Sequence, residues 1–595
     1  MDRLLREQGS RDRRLLPVAL TMWMASLGAH HAYAWLAAAY SGHKVAGSAA
    51  TYSAMWPSAF IPVGIVLAVL VILVGIAMLG MRKGGGPWFA MIAVCAAASS
   101  IAATSAIIAD TLAWLDPIAI YARTASTVPV TAEISITTPI LVSNQRDFDC
   151  QADVRLISVR MGKTVEPHDV GGIDTAEDAA RRSFAAARLY ALGEDCNVLE
   201  RGARYRMKTT VRQAEYGSMP IWLLAEEHVA GDKDSMLRLR APPMLTRMVT
   251  HMQQSFFRVT QTLSDQGRVL VPGLTIGVLG QDHYSMQSDM VPVDDTYANT
   301  VEDAFRRSGI MHLMAVSGGH FVLLAMLIRR VGLWLLADRR IIAGMLIVGY
   351  GALAAVVFPG DSVSRALIMG IMSAVGYAIG RRAQALSALC WTVIGSLVLM
   401  PGMSLSYGFA LSCAAVLGIV LFTQPFLAAL SRVMPHVIAQ AMAMTMAAQL
   451  FTLPIQVLME PELPLLSVPA NLLVAPVVSI ATIVGLLCLC CAWCAPDAAN
   501  MLAWLASSCT RIMERVAYGI AGLDMASVPW AGGVLGAAMI LMVECAGCMM
   551  LMCVSRCLRR RHTEPGLPGE RFGRLEARRV RIALWWRASL HMLWR

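Results

Sequence analysis

The chain has 595 residues, 56% of them hydrophobic and only 15% charged, where a soluble chain of this length carries roughly a quarter charged residues. Apolar runs of about 20 residues recur along it and define a polytopic membrane protein, which excludes a soluble globular enzyme. The formal charge of +10 would suit nucleic acid or anionic lipid, but residues 115–309 hold 21 Lys and Arg against 25 Asp and Glu, a net of −4. The positive excess lies at the two ends, which is the pattern of membrane orientation.

The first 14 residues carry five arginines and are expected on the cytoplasmic side by the positive-inside rule. Spans follow at about residues 15–40, 60–81 and 88–108, the second ending on Arg82 and Lys83. Residues 1–109 are thus predicted to be three transmembrane helices, the first a retained helix and not a cleaved signal peptide. Three crossings from a cytoplasmic start put the next region outside, in agreement with its acidic balance.

From 110 to 265 the hydropathy falls to that of a soluble, β-rich domain. In ARYRMKTTVR (203–212), Arg204, Arg206, Lys208 and Arg212 alternate with Tyr205, Met207 and Val211, so a strand there has one basic face and one apolar face. Such a face can bind single-stranded DNA or be an ordinary solvated strand surface. Residues 128–140 and 152–161 also read as strands, and TAEDAARRSFAAARLYAL (175–192) reads as a helix capped by Thr175. A small, partly open barrel fits this pattern, as do other small β-rich folds. Cys150 and Cys196 lie in this insert; outside the cell they can close a disulfide, the other reading being two free thiols.

Residues 266–555 read as a second bundle, with runs at about 310–328, 341–359, 362–380, 385–400, 406–430, 438–459, 467–494 and 530–554. Its central stretch is GIMHLMAVSGGHFVLLAMLIRR (309–330), read as one crossing that holds His312, Ser317 and His320 at bilayer depth. Further polar residues in the apolar runs are Arg365, with Asp361 as an i−4 partner, and Ser412, Gln449 and Asn471. Pro454, Pro469 and Pro476 break backbone ladders, a feature tolerated where carbonyls line a cavity or meet protein. Residues 498–523 read as an amphipathic helix lying flat at the interface, giving about eleven spans. That count leaves the basic tail, 556–595, outside, against the positive-inside rule; the tail itself reads as resting on anionic lipid.

Cys488, Cys490, Cys491 and Cys494 splay around a helix axis and do not make a metal site, and no metal or other cofactor is expected. Ser317 and His320 lie close on one helix but lack an orienting third group, so hydrolytic catalysis is not expected.

Five blocks resemble, in order, the competence domain of ComEC proteins, the DNA-uptake channels of natural transformation. They are VPGLTIGVLGQD, EDAFRRSGIMHLMAVSGGHF, SVSRALIM with GRRAQALSAL, YGFALSCAAVLGI, and AQLFTLPIQ with SVPANLLVAPVV. The resemblance covers residues 265–495 and implies that the preceding insert is an extracytoplasmic OB-fold domain. It also implies that one DNA strand passes the bundle, with His312, Ser317, Arg365, Ser412, Gln449 and Asn471 on the family's motifs and His320 where many members have His or Asn; together with Asp361, the i−4 neighbour of Arg365, these are the expected lining. An extracytoplasmic DNA receptor and a cytoplasmic helicase-like ATPase are the implied partners, the chain having no P-loop of its own. Many members continue into a metallo-β-lactamase-like nuclease domain; no HxHxDH cluster occurs here, so no nuclease activity is expected of this chain. A small-molecule or ion transporter with an outer lid domain is the competing reading.

Overall fold

The computed structural model describes residues 13–42, 87–124, 129–161, 181–214, 219–225, 236–284, 293–380 and 384–561. The predicted second span and most of the basic tail lie outside these residues. Two long helices open the chain, α1 (Leu15–Gly42) and α2 (Pro87–Leu115), and pack along each other. The short helix α3 (Pro117–Thr124) then enters a β domain, where Ile118, Tyr121 and Ala122 join the domain's core.

The β domain is built on β1 (Pro129–Ile136), β2 (Cys150–Met161), β3 (Ala186–Ala191), β4 (Arg204–Gln213) and β5 (Ile221–Ala225). Their hydrogen-bonded order is β1-β2-β3-β5-β4, and β4 pairs back onto β1, so the sheet closes into a five-stranded barrel. The pair β3–β5 is parallel and the others are antiparallel. A one-and-a-half-turn helix, α4 (Gly193–Val198), connects β3 to β4. Closure removes the unpaired edges that an open sheet of this size would expose. A further strand, β6 (Met236–Arg240), extends β4 beyond the barrel.

The segment read as a helix over 175–192 is instead extended wherever it is described: Arg181–Arg182 pair with β2, and 186–191 are β3. Its alanines favour a helix locally, but Ala187, Leu189 and Ala191 alternate into the barrel core and burial decides. Cys150 and Cys196 are joined by a disulfide across 46 residues, tying the start of β2 to α4. Replacing both by Ser should lower the barrel's stability by about 2–4 kcal/mol, read as an earlier melting transition for the double variant than for the oxidised parent.

Helix α2 is fastened to the barrel at Asp116, whose carboxylate accepts from Ile118 N (3.0 Å), Ser183 Oγ (2.8 Å) and Phe184 N (3.0 Å). Arg123 stacks 3.6 Å over the Trp114 ring and also donates to its carbonyl. The barrel is therefore held at one end of the helical region by a buried carboxylate and a stacked cation.

The second bundle comprises α5 (Met244–Thr260), α6 (Asp265–Ile276), α7 (Asp295–Arg307), α8 (Gly318–Trp334), α9 (Arg339–Val356), α10 (Asp361–Ile379) and α11 (Ala385–Leu399). It continues with α12 (Tyr407–Leu430), α13 (His436–Met459), α14 (Ser467–Cys491), α15 (Pro496–Ala521) and α16 (Gly533–Arg561). Six helices among the described residues are long and apolar enough to cross a membrane: α2 from Phe89, α9, α10, α12, α13 and α14. Ala385–Leu399 and Gly533–Gly547 are shorter apolar helices. The protein is a membrane protein of mainly helical fold with a five-stranded barrel at one end.

Two features differ from the sequence reading. The stretch 309–330 is not one crossing: Met311–Met314 form a 3₁₀ turn, 315–317 are not helical, and α8 starts only at Gly318. Helix α15, read as a separate interfacial helix, packs into the bundle. It runs antiparallel along α14, with Cys488 beside Ala499 at one end and Ala470 in one cluster with Ala517 and Ala521 at the other. Its small buried residues (Ala499, Ala503, Ala506, Ser507, Thr510) give it a face narrow enough for that close approach. The chain thereby returns to the side from which α14 began, where β8 (Ser527–Pro529) pairs with β7 (Glu462–Pro464). Helix α16 then carries the chain toward the opposite side.

Helices α12 and α13 make the most extensive helix pair, and they touch through Gly418: a Cβ there would lie 2.1 Å from the Ala447 carbonyl oxygen. Gly418→Leu should force the helices apart and cost about 1–3 kcal/mol or more, seen as a lower melting temperature of the purified protein in detergent.

A contact between barrel and bundle is made by the loop after α6. Leu141 bridges to His283, and the His283 ring stacks on Phe257 with centroids 3.6 Å apart. Burial drives the His283 pKa down from 6.5 to about 4. Because the folded-state value lies below the ordinary one, this site's contribution is complete above pH 6.5 and is lost as pH falls toward 4. Thermal melts across that window should show a loss of order 2 kcal/mol that is absent in His283→Phe, whose ring keeps the stack.

Candidate strand-passage site and nucleic-acid interface

The polar residues singled out within the second bundle are gathered by the break in 309–318. Ser317 is the N-cap of α8 (φ −114°, ψ 173°): its hydroxyl accepts from Gly319 N, and its own N–H donates to His320 Nδ1 at 3.3 Å. His320 Nε2 then donates to the Leu274 carbonyl at 2.9 Å, near the C-terminal end of α6. A C-terminal helix end and an N-terminal helix end therefore meet inside the bundle, as in discontinuous membrane helices that surround a binding site. His312, hydrogen-bonded to the Gly309 backbone, is accessible although densely surrounded by protein, as on the wall of a cleft. Ala315, Ser317 and Gly319 are exposed beside it, while Val316 and His320 point into the core.

Arg365 sits one turn into α10, 5% exposed. Its Nε donates to Ser412 Oγ at 2.6 Å and its Nη1 reaches Met369 Sδ at 3.2 Å. Its Nη2 is 3.4 Å from the point where a Cβ on Gly318 would stand, so the guanidinium faces the first turn of α8. The expected pairing with Asp361 is not formed. Asp361 instead accepts from the Ser406 hydroxyl, which also caps α12 by accepting from Phe409 N. A nearer geometric partner on the neighbouring helix has displaced the i−4 contact. Ser362 and Ser412 share a hydrogen bond of 3.1 Å, which completes a hydroxyl-lined wall beside Arg365.

Gln449 and Asn471 form a second group. Gln449 donates to the Ser467 hydroxyl, and Asn471 to Thr445 Oγ1 at 3.5 Å. The same broken segment joins the two groups. Gly309, at φ +74°, lies against the start of α14, and a Cβ there would be 2.5 Å from Ser467 Cβ. The eight predicted residues thus lie along one run of structure, from Ser467 through 309–318 to Arg365 and Ser412. Sequence reasoning missed Ser406 and Ser467, whose roles are set by contacts with Asp361 and Gln449 on other elements; Thr445 escaped notice for the same reason.

The barrel carries the second candidate surface. Arg204, Lys208 and Arg212 are exposed on β4 and Arg206 partly so, while Tyr205, Met207 and Val211 are buried. Cross-strand register extends this face: Thr131 stands between Arg160 and Lys208, Ser135 between Arg155 and Arg204, and Arg204 stands opposite Arg240. Glu133 is the acid in the middle of these rows, accepting from Ser158 at 2.8 Å and pairing with Arg206 at 3.4 Å. Like charges directly opposite one another weaken a sheet, so a face such as Arg204–Arg240 is held against its own repulsion.

Among the described residues no group of three or more His, Cys, Asp and Glu is arranged to hold a metal ion. Cys488 and Cys494 are instead engaged with backbone carbonyls of their own helical hairpin.

Barrel, break and buried guanidinium together define a helical membrane protein with a polar interior site and a barrel domain that carries one basic strand face. Residues 294–556 match the family model described as Competence protein. The match covers 263 of the 595 residues and is consistent with a ComEC-type competence protein; at the family level it supports a role in competence, the uptake of DNA. No curated protein and no solved structure matches the chain.

Proposed function

We propose that this protein is a plasma-membrane channel that passes one strand of DNA into the bacterial cytoplasm during natural transformation. The observation that carries this reading is the placement of the broken segment 309–318 between two hydrogen-bonded polar groups, Gln449 with Ser467 at its Gly309 end and Arg365 with Ser412 at its Gly318 end. Every nucleotide brings a negative charge, so the route has to be wet and lined with donors. His312, Ser317 and Arg365 supply donors at one wall of it.

The barrel is the reception module in this account. Its strand order, with a parallel β3–β5 pair and a helix between β3 and β4, supports an OB-type fold, a fold that binds oligonucleotides. Arg204, Arg206, Lys208 and Arg212 are its strand-binding residues. An outward-facing barrel is supported by charge: Asp361, Glu460 and Glu462 on the one hand, and Arg329, Arg330, Arg339, Arg340 and Arg432 on the other, fall at alternate ends of successive helices, as alternating crossings require. With α15 crossing back beside α14, α16 ends on the side of the basic residues, in keeping with the positive-inside rule. The chain acts without catalysing a reaction of its own. An extracytoplasmic DNA receptor delivers the substrate, and a cytoplasmic helicase-like ATPase draws the strand in.

Proteoliposomes holding the purified full chain test the reading against a small-solute transporter. Labelled single-stranded oligonucleotide should become nuclease-protected in the lumen when a cytoplasmic ATPase is supplied, and small ions and metabolites should show no saturable uptake. Saturable solute uptake with no DNA entry would replace the channel by a transporter.

A further inference from the structure

Arg365 is 5% exposed, and no carboxylate among the described residues lies within ion-pair distance of its guanidinium. A buried cation without a counter-ion is costly, and proteins ordinarily supply one. The nearest acid in sequence, Asp361, is turned to Ser406. What Arg365 faces instead is the N-terminal end of α8, a 17-residue helix, where the macrodipole and free N–H groups also favour negative charge. Ser317 N and Gly319 N are already used in the capping box, which leaves the Gly318 amide at the mouth. Two independent sources of positive potential, one a side chain and one a helix end, converge on one point with no acid beside them. Exposed Ser317 and Gly319 keep that point open to the cleft.

We infer that Arg365 and the Gly318 end of α8 form a binding site for a phosphodiester anion, occupied by the backbone of the strand in transit. Arg365 offers Nη2 and the helix end offers the Gly318 N–H, a planar donor and a backbone donor on one phosphate. Neither contacts a base, so the site is indifferent to sequence, as a general uptake route requires. The choice of strand as occupant rests on the channel reading; the phosphodiester chemistry does not.

The test uses the full chain in phosphatidylcholine nanodiscs, with Arg204, Arg206 and Lys208 changed to Glu to silence the barrel face. Binding of a labelled abasic oligodeoxynucleotide, which is phosphodiester without bases, is followed by anisotropy against salt. Arg365→Gln should weaken binding about tenfold and lower the slope of log K against log salt by about 0.7, with Arg365→Lys keeping part of both. Gly318→Pro is the second variant: proline suits the first helical position, and the extended Ser317 backbone suits a following proline, so the helix start survives without its amide. It should weaken binding severalfold. A parallel arm replaces the oligonucleotide with phosphatidylglycerol doped into the disc. Dependence on Arg365 in that arm alone would keep the phosphodiester site and remove the strand as its occupant, which also removes the channel reading. Unchanged affinity and slope in both arms, for variants that elute and melt like the parent, would overturn the site.

Discussion

Arg365→Ala will reduce transformation by about a hundredfold or more in a strain whose protein is still inserted at normal level. A hundredfold loss corresponds to about 3 kcal/mol of lost strand stabilisation, at about 1.4 kcal/mol for each factor of ten. The parent pays for a buried guanidinium with no acidic neighbour; the alanine variant is relieved of that cost, so it should fold at least as well. Loss of uptake with gain or no change in stability is a combination that a merely structural arginine would not give. Arg365→Lys keeps the charge but loses the hold on Ser412 Oγ, and should fall between the two. Quantitative immunoblots of the membrane fraction, run beside transformation counts, check both halves. A variant that is unstable and inactive together would make Arg365 a packing residue.

The second large effect belongs to the barrel. Charge reversal of Arg204, Arg206 and Lys208 to Glu should abolish measurable binding of single-stranded DNA by this face and remove about two units from the salt slope, at roughly 0.7 for each phosphate contact. The reversal is on the outside of β4, whose inner face of Tyr205, Met207 and Val211 is untouched. It also breaks the Arg206–Glu133 pair, a half-exposed contact worth well under 1 kcal/mol. The barrel should therefore still melt cooperatively. DNA binding that survives reversal with its salt dependence intact would make this a solvated strand surface.

Much of this architecture was legible in the chain, and the misses share one cause. Strand β4 could be read because its period-two alternation is a local signal that burial then enforces. The break before α8 could have been read as well: Ser317 followed by two glycines is an N-cap signature, overlooked inside a run apolar enough to span a membrane. Residues 186–191 were not legible, because Ala-rich sequence favours a helix until β2 and β5 offer it two edges. The partners of Asp361 and Arg365 were likewise out of reach. Ser406 and Ser412 are 45 and 47 residues away, and no periodicity links them to α10. Likewise α15 is amphipathic enough to suit an interface, and only its alanine-lined match to α14 turns it into the bundle. Residue chemistry could be read locally, whereas pairing depends on the tertiary fold.

The central claim is that a strand of DNA passes this protein beside the broken segment 309–318. Its most direct measurement is import of end-labelled DNA into a host lacking this gene, with and without complementation by the parent or by Arg365→Ala. The account predicts that nuclease-resistant label enters the cytoplasm only with the parent, while label bound at the surface stays the same in all three strains. Equal entry in the strain without the gene, or full entry with Arg365→Ala, would contradict it.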